Sequence, residues 1–238
     1  MGCPSSDVRE HVELLNESGL DPEAIETVPT ALGRCFSRTF RRQSDSEATR
    51  VYVDVGDSCS KVIILRGRQI VFFKLIDIGG AQLHARVAEH LDLSVDDAAR
   101  LRRRLTSPES DSDEGEPLFG STRRESVQRA AYEAVRSVVS DLAKEIGLCL
   151  RYYSVTFRGA RPTALVLVGG EAHEPQLAKV IAEQLEIDVA VADPLTGIDL
   201  SSADIAIERR GTLPEWSTAA GLALRWSMPR ASRKRGAA

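Results

Sequence analysis

Three short β-branched runs in immediate succession, Arg50–Val55 (RVYVDV), Lys61–Leu65 (KVIIL) and Gln69–Ile76 (QIVFFKLI), constrain this chain more than any other feature. Each is too short for a lone helix and is bounded by Gly-bearing turns, the pattern of strands. Arg66-Gly67-Arg68 suits a tight hairpin between the second and third. Strands so joined pair antiparallel, which predicts a meander at one side of a sheet. Far downstream, Thr163–Val168 (TALVLV) is a continuous apolar run, as in a strand buried on both faces. Ile187–Val191 (IDVAV) is a further strand.

Helical periodicity fills the intervals. Residues 8–19 place Val8, Val12, Leu14 and Leu15 on one stripe and stop at Gly19, a C-cap. Further helices are expected over Pro29–Phe40, Ala81–Leu91 and Val95–Leu105, the last opened by Ser94 with Asp97 three residues on. The longest periodic run is 124–152, where Val127, Ala131, Val135, Val138, Leu142, Ile146 and Cys149 recur at three- and four-residue steps. Glu174–Leu185 and Pro214–Trp226 complete the set, and Ala219, Ala220, Gly221 and Ala223 form a small-residue face that a neighbouring backbone can approach. Between helices, Thr106–Thr122 carries five acids and no base and reads as a solvated loop.

Composition narrows the function classes. With 42% hydrophobic and 28% charged residues, the 238-residue chain can bury a real core. A net charge of −4 gives no global basic field for nucleic acid. The apolar runs fall far short of the ~20 residues of a membrane helix, and no secretory leader stands at the start. The chain therefore reads as cytoplasmic. Its four cysteines show no CxxC and no histidine at metal-ligand spacing, as expected of reduced thiols.

Two glycine-bearing turns are candidates for chemistry. In the first, Asp54-Val55-Gly56-Asp57-Ser58-Cys59-Ser60, Gly56 lets backbone approach a phosphate, and the hydroxyls of Ser58 and Ser60 can donate to its oxygens. Asp54, at a strand end, can hold a water of a bound Mg²⁺, so its metal contact is indirect. Asp57 opposes this by repelling phosphate, and a plain hairpin satisfies the same spacing. In the second, Leu167-Val168-Gly169-Gly170-Glu171-Ala172, a buried strand runs into a Gly pair and a helix, where open α/β sheets place ligands. Gly169 and Gly170 admit a flat base or ribose, and Glu171 can take a ribose hydroxyl; a tight βα turn with nothing bound fits equally. No Ser-His-Asp arrangement, Walker-type loop or His/carboxylate cluster accompanies them.

The order of the pieces adds information. A Pro-Thr-Ala-Leu helix (28–35) comes first, then Asp54-x-Gly56 between strands, then Leu167-Val168-Gly169-Gly170 before a helix, and last Ala220-Gly221-Leu222-Ala223-Leu224-Arg225. This succession resembles the connecting helices, second phosphate loop and adenosine motif of the actin-like ATPase superfold. Within it the chain is similar to the PilM family of type IV pilus assembly proteins, related to the division protein FtsA. Ser18-Gly19-Leu20-Asp21-Pro22, Asp77-Ile78-Gly79-Gly80 and Gly169-Gly170-Glu171-Ala172 with Pro175 and Leu177 carry that likeness.

The resemblance implies an α/β fold, an actin-like (ribonuclease H-like) mixed sheet with flanking helices, representing mainly the second of two lobes. Residues 1–48 would be remnant helices of the first lobe; 49–78 and 160–213 the sheet; 79–159 an inserted helical subdomain; 214–228 a helix returning to the first lobe; 229–238 a basic tail. The first lobe and its phosphate loop are expected to be missing, although Asp54–Lys61 also passes for that first loop. ATP in this fold is clamped from both sides, so ATP and Mg²⁺ are expected to bind weakly, without catalysis, since positioning and charge stabilisation dominate phosphoryl transfer. The implied role is a non-enzymatic scaffold of a pilus or secretion platform, with PilN-like partners and peripheral inner-membrane association through them. The alternative is a nucleotide-binding ATPase completed by a missing lobe or a partner chain.

Overall fold

A computed structural model describes residues 3–40, 45, 47–106, 121–158, 160–201 and 212–225, with side chains from 125 onward in the fifth helix. The acidic segment's residues 107–120, the stretch 202–211 and the basic tail lie outside the described residues.

The β-branched runs form the meander: β1 (Thr49–Val55), β2 (Ser60–Arg66) and β3 (Gln69–Ile76) pair antiparallel in sequence. β4 (Ala164–Val168) then adds parallel to β1, with Val53 opposite Leu167, and β5 (Asp188–Val191) adds parallel to β4. The five-stranded order β3-β2-β1-β4-β5 is a mixed sheet with β1 at its centre. Parallel neighbours need a crossover, and the helices between β3 and β4 supply it.

Strand alternation sends side chains to two cores. Val51, Val53, Val55, Val62, Ile64, Leu165 and Leu167 face one side. There they pack under α3 (Gly80–Leu91), α4 (Val95–Thr106), α5 (Ser121–Phe157) and α6 (Pro175–Leu185) through Leu83, Ala98, Leu142, Ile146, Leu177 and Ile181. The helices within the expected insertion thus share one apolar cluster with the sheet. Tyr52, Ile63, Leu65 and Val168 face the other side, under α2 (Val28–Ser37) and α7 (Ser217–Ala223). Cys35 and Cys149 are buried free thiols, Cys59 is half-buried and Cys3 is exposed.

The first and last helices differ from expectation in instructive ways. α1 (Ser5–Glu17) ends where the sequence placed its cap, Gly19 taking φ +77°, but no residue of it is buried. Its stripe of Val8, Val12 and Leu15 remains half-exposed. The expected helix over Pro214–Trp226 divides instead into a 3₁₀ turn, Pro214–Trp216, and the short α7. Its small-residue face is covered: a Cβ on Gly221 would lie 2.0 Å from the Ala31 carbonyl oxygen of α2. Arg34 on α2 donates to the Gly221 carbonyl at 2.8 Å and pairs with Glu26, fixing the same junction.

Candidate functional site

Because β1 and β4 are parallel neighbours, both glycine-bearing turns emerge side by side at the carboxyl end of the sheet. Gly169 takes φ +92°, a conformation that favours glycine, and a Cβ there would meet Asp54 Oδ1 and the Val55 carbonyl, both at 2.5 Å. The Glu171 amide donates to the Val55 carbonyl at 3.1 Å, so the two turns are directly bonded. The amino end of α3 closes over the first turn: Gly80 and Ala81 amides donate to the Gly56 and Asp57 carbonyls, each at 2.9 Å. Sequence reasoning therefore picked residues that do converge.

Their polar groups, however, are already engaged. The Lys61 Nζ donates to Asp54 Oδ2 at 3.1 Å, and Asp54 is 7% exposed. Ser60 is fully buried, and its hydroxyl donates to the Ile78 carbonyl at 2.6 Å rather than facing a ligand. The Gly56 amide donates to the Cys59 carbonyl at 3.1 Å. Ser58 alone among the assigned side chains is exposed. A phosphate-and-Mg²⁺ role needs donors free to turn outward and a carboxylate free to hold water, and Asp54, Gly56 and Ser60 do not fit that need as folded. Gly170 does leave open space, since a Cβ there would meet nothing within 4 Å. Among the described residues no group of three or more His, Cys, Asp or Glu side chains is placed to hold a metal.

Glu171 belongs to a cluster that the sequence did not reveal. Arg102, on α4 and 4% exposed, donates from Nη2 to Glu171 Oε2 at 2.7 Å and to Glu174 Oε2 at 2.8 Å. Its Nη1 lies 2.9 Å from His84 Nδ1 on α3, while His84 Nε2 lies 3.9 Å from Glu171 Oε1. The Glu171 carboxylate also covers Gly80, whose Cβ would sit 2.5 Å from Oε1. One guanidinium thus ties α3, α4, the β4–α6 turn and the start of α6 together. In the sequence Arg102 is one of three consecutive arginines, 102–104, within the expected helix Val95–Leu105. Its one local signal is spacing: Arg102 stands four and three residues after the buried Ala98 and Ala99, on the same helix face.

An arginine only donates, so His84 Nδ1 accepts and the ring is neutral with its proton on Nε2. Burial first, and the Arg102 charge second, hold the His84 pKa below its ordinary 6.5. A histidine depressed in the native state stabilises the fold above the unfolded pKa and loses that contribution as pH falls towards the folded one. Urea unfolding at pH 7.5 and 5.5 is therefore expected to show a smaller loss for His84→Gln than for the parent chain. Equal losses would contradict this placement of the ring.

The sequence matches the family model described as type IV pilus assembly protein PilM over residues 2–227. No curated protein matches it significantly. Among solved structures, a PilM-PilN type IV pilus biogenesis complex is similar with a TM-score of 0.70 and 20% identity, over 93% of this chain and 58% of that one. Ethanolamine utilization protein EutJ from Carboxydothermus hydrogenoformans follows with 0.60 and 16%, over 94% and 62%. MreB5 of Spiroplasma citri bound to ADP gives 0.58 and 11%, over 95% and 67%. These likenesses establish an actin-like fold, and the chain spans 58% and 62% of the first two structures' lengths.

Proposed function

The chain belongs to the type IV pilus assembly protein PilM family, and from that membership we propose that it is a non-enzymatic scaffold of a type IV pilus or related secretion platform. In this reading it works on the cytoplasmic side of the inner membrane and is held there by a PilN-like partner. Among the described residues no helix is long and apolar enough to cross a membrane. The half-exposed stripe of α1 is the surface on which a further lobe or partner chain would sit.

The observation that carries the non-enzymatic half of the proposal is the internal pairing at the sheet's carboxyl end. Lys61 holds Asp54, the Ile78 carbonyl takes the Ser60 hydroxyl, and Arg102 holds Glu171. Phosphoryl transfer depends on free, positioned charges, and these groups are spent on one another. Affinity capture with the tagged chain from a type IV-piliated cell, in nucleotide-free buffer, is expected to recover inner-membrane pilus components. Recovery of none would count against the scaffold.

One observation favours a second reading, a nucleotide-binding ATPase completed by another lobe or chain. The Gly170 backbone faces open space, as an approaching ribose or base requires, and the similar MreB5 structure is described as bound to ADP. In that reading Asp54, Gly56, Ser58, Ser60, Gly169, Gly170 and Glu171 contact ATP and Mg²⁺ only after the internal pairs open.

A further inference from the structure

Among the described residues, the far edge of the sheet has no partner strand. β3 is paired with β2 and with no strand beyond, so its outer side presents a row of backbone donors and acceptors. Apolar side chains flank that edge on both faces. Towards α5, the Phe72 ring lies 5.9 Å from Tyr152. Leu148, Tyr152 and Val155 follow at four- and three-residue steps and are 51%, 59% and 75% exposed. On the face towards α2, Ile70 and Leu75 are 37% and 48% exposed. Single exposed apolar residues are ordinary, whereas a set gathered along one strand edge marks a contact surface.

The rim around this edge is basic in a chain whose net charge is −4. Arg66, Arg68, Lys74, Arg151 and Arg158 are all exposed, and none forms an ion pair with a described residue. The acids beside it are Glu145 on the same α5 stripe and Asp77 just past the end of β3, both exposed and outnumbered by the five cations.

We propose that the β3 edge and the exposed α5 stripe bind an extended segment of a partner protein in which acidic and apolar residues alternate, added as a sixth strand. Main-chain bonds to β3 supply affinity, and because successive side chains alternate faces, the segment's apolar residues lie against Ile70 and Leu75 on the α2 face while its acids lie on the α5 face, which carries Lys74 and Arg151. Its acids meet the arginine rim, which sets orientation and encounter rate. A second copy of this chain is disfavoured as occupant, because β3-to-β3 pairing would bring two sets of uncompensated cations together. The surface lies two strands from β1 and three from β4, whose turns carry the candidate site, and it holds whether or not the scaffold reading does.

The test uses a fluorescein-labelled peptide of alternating Glu and Val, read by anisotropy on the full chain, with an alternating Lys-Val peptide as control. Saturable binding of the acidic peptide alone is expected, weakened roughly tenfold by Lys74→Glu with Arg151→Glu, as about 1.4 kcal/mol of lost charge attraction gives. Amide exchange across residues 69–76 should slow on binding. The exposed-site variants Lys74→Ala and Arg151→Ala carry the same comparison if charge reversal perturbs folding. Absence of saturable binding, equal binding by the charge variants, protection confined to other strands, or dimerisation of the chain through β3 would each overturn the proposal.

Discussion

Substituting methionine for Arg102 is expected to lower the unfolding free energy by about 3–5 kcal/mol, the cost of leaving buried carboxylates without their cation. Arg102 and Glu174 side chains are 4% and 3% exposed, so solvent cannot replace the lost partner. The effect belongs to the unpaired acids more than to the arginine's own contacts. Adding Glu171→Gln and Glu174→Met to Arg102→Met should therefore recover much of the loss, because no buried charge is then left unpaired, although the Glu174 cap on the Gln176 amide is lost. Urea denaturation of the single and triple variants decides the matter. A triple variant as unstable as the single one would mean that Arg102 acts through packing of its stem and not through charge.

A loss of about 2–3 kcal/mol is expected for Gly221→Ala, although alanine ordinarily stabilises a helix over glycine by roughly 1 kcal/mol. The new methyl group would occupy the space of the Ala31 carbonyl, and backbone cannot swing aside as a flexible side chain does. α2 and α7 would have to separate, disturbing Leu32, Cys35 and Ala220 in the core beneath them. Gly170→Ala is the matched control: nothing lies within 4 Å of that Cβ, its φ is not in the left-handed region, and stability should change by less than about 0.5 kcal/mol. Equal thermal midpoints for the parent and Gly221→Ala would refute the close approach.

The two experiments also mark what sequence alone could read. The strands were legible because β-branched runs, an Arg-Gly-Arg hairpin and a buried TALVLV run leave little choice of structure, and β1, β2 and β3 begin and end within a residue of expectation. The close approach at Gly221 was legible from its small-residue face. Extension of α5 to Phe157 was not, because Ser154, Val155 and Thr156 favour a helix less than the residues before them. The Arg102 cluster was invisible for a different reason. Its bonds to His84, Glu171 and Glu174 span 18, 69 and 72 residues, and no local spacing encodes which of several neighbouring arginines turns inward. Consequently the sequence located both turns but assigned Asp54, Ser60 and Glu171 to an outside ligand, where folding gives them partners within the chain.

Asp54, Ser60 and Glu171, paired within the chain, must break those bonds before they can take up a triphosphate, and each buried group so freed costs about 1–3 kcal/mol until the ligand replaces its partner. Arg102 and its partners His84, Glu171 and Glu174 instead hold α3, α4 and α6 together on the sheet.

Titration calorimetry of the isolated chain with Mg-ATP tests this claim most directly. The account predicts a dissociation constant weaker than about 100 µM; saturable binding at or below roughly 10 µM, near −7 kcal/mol, would contradict it.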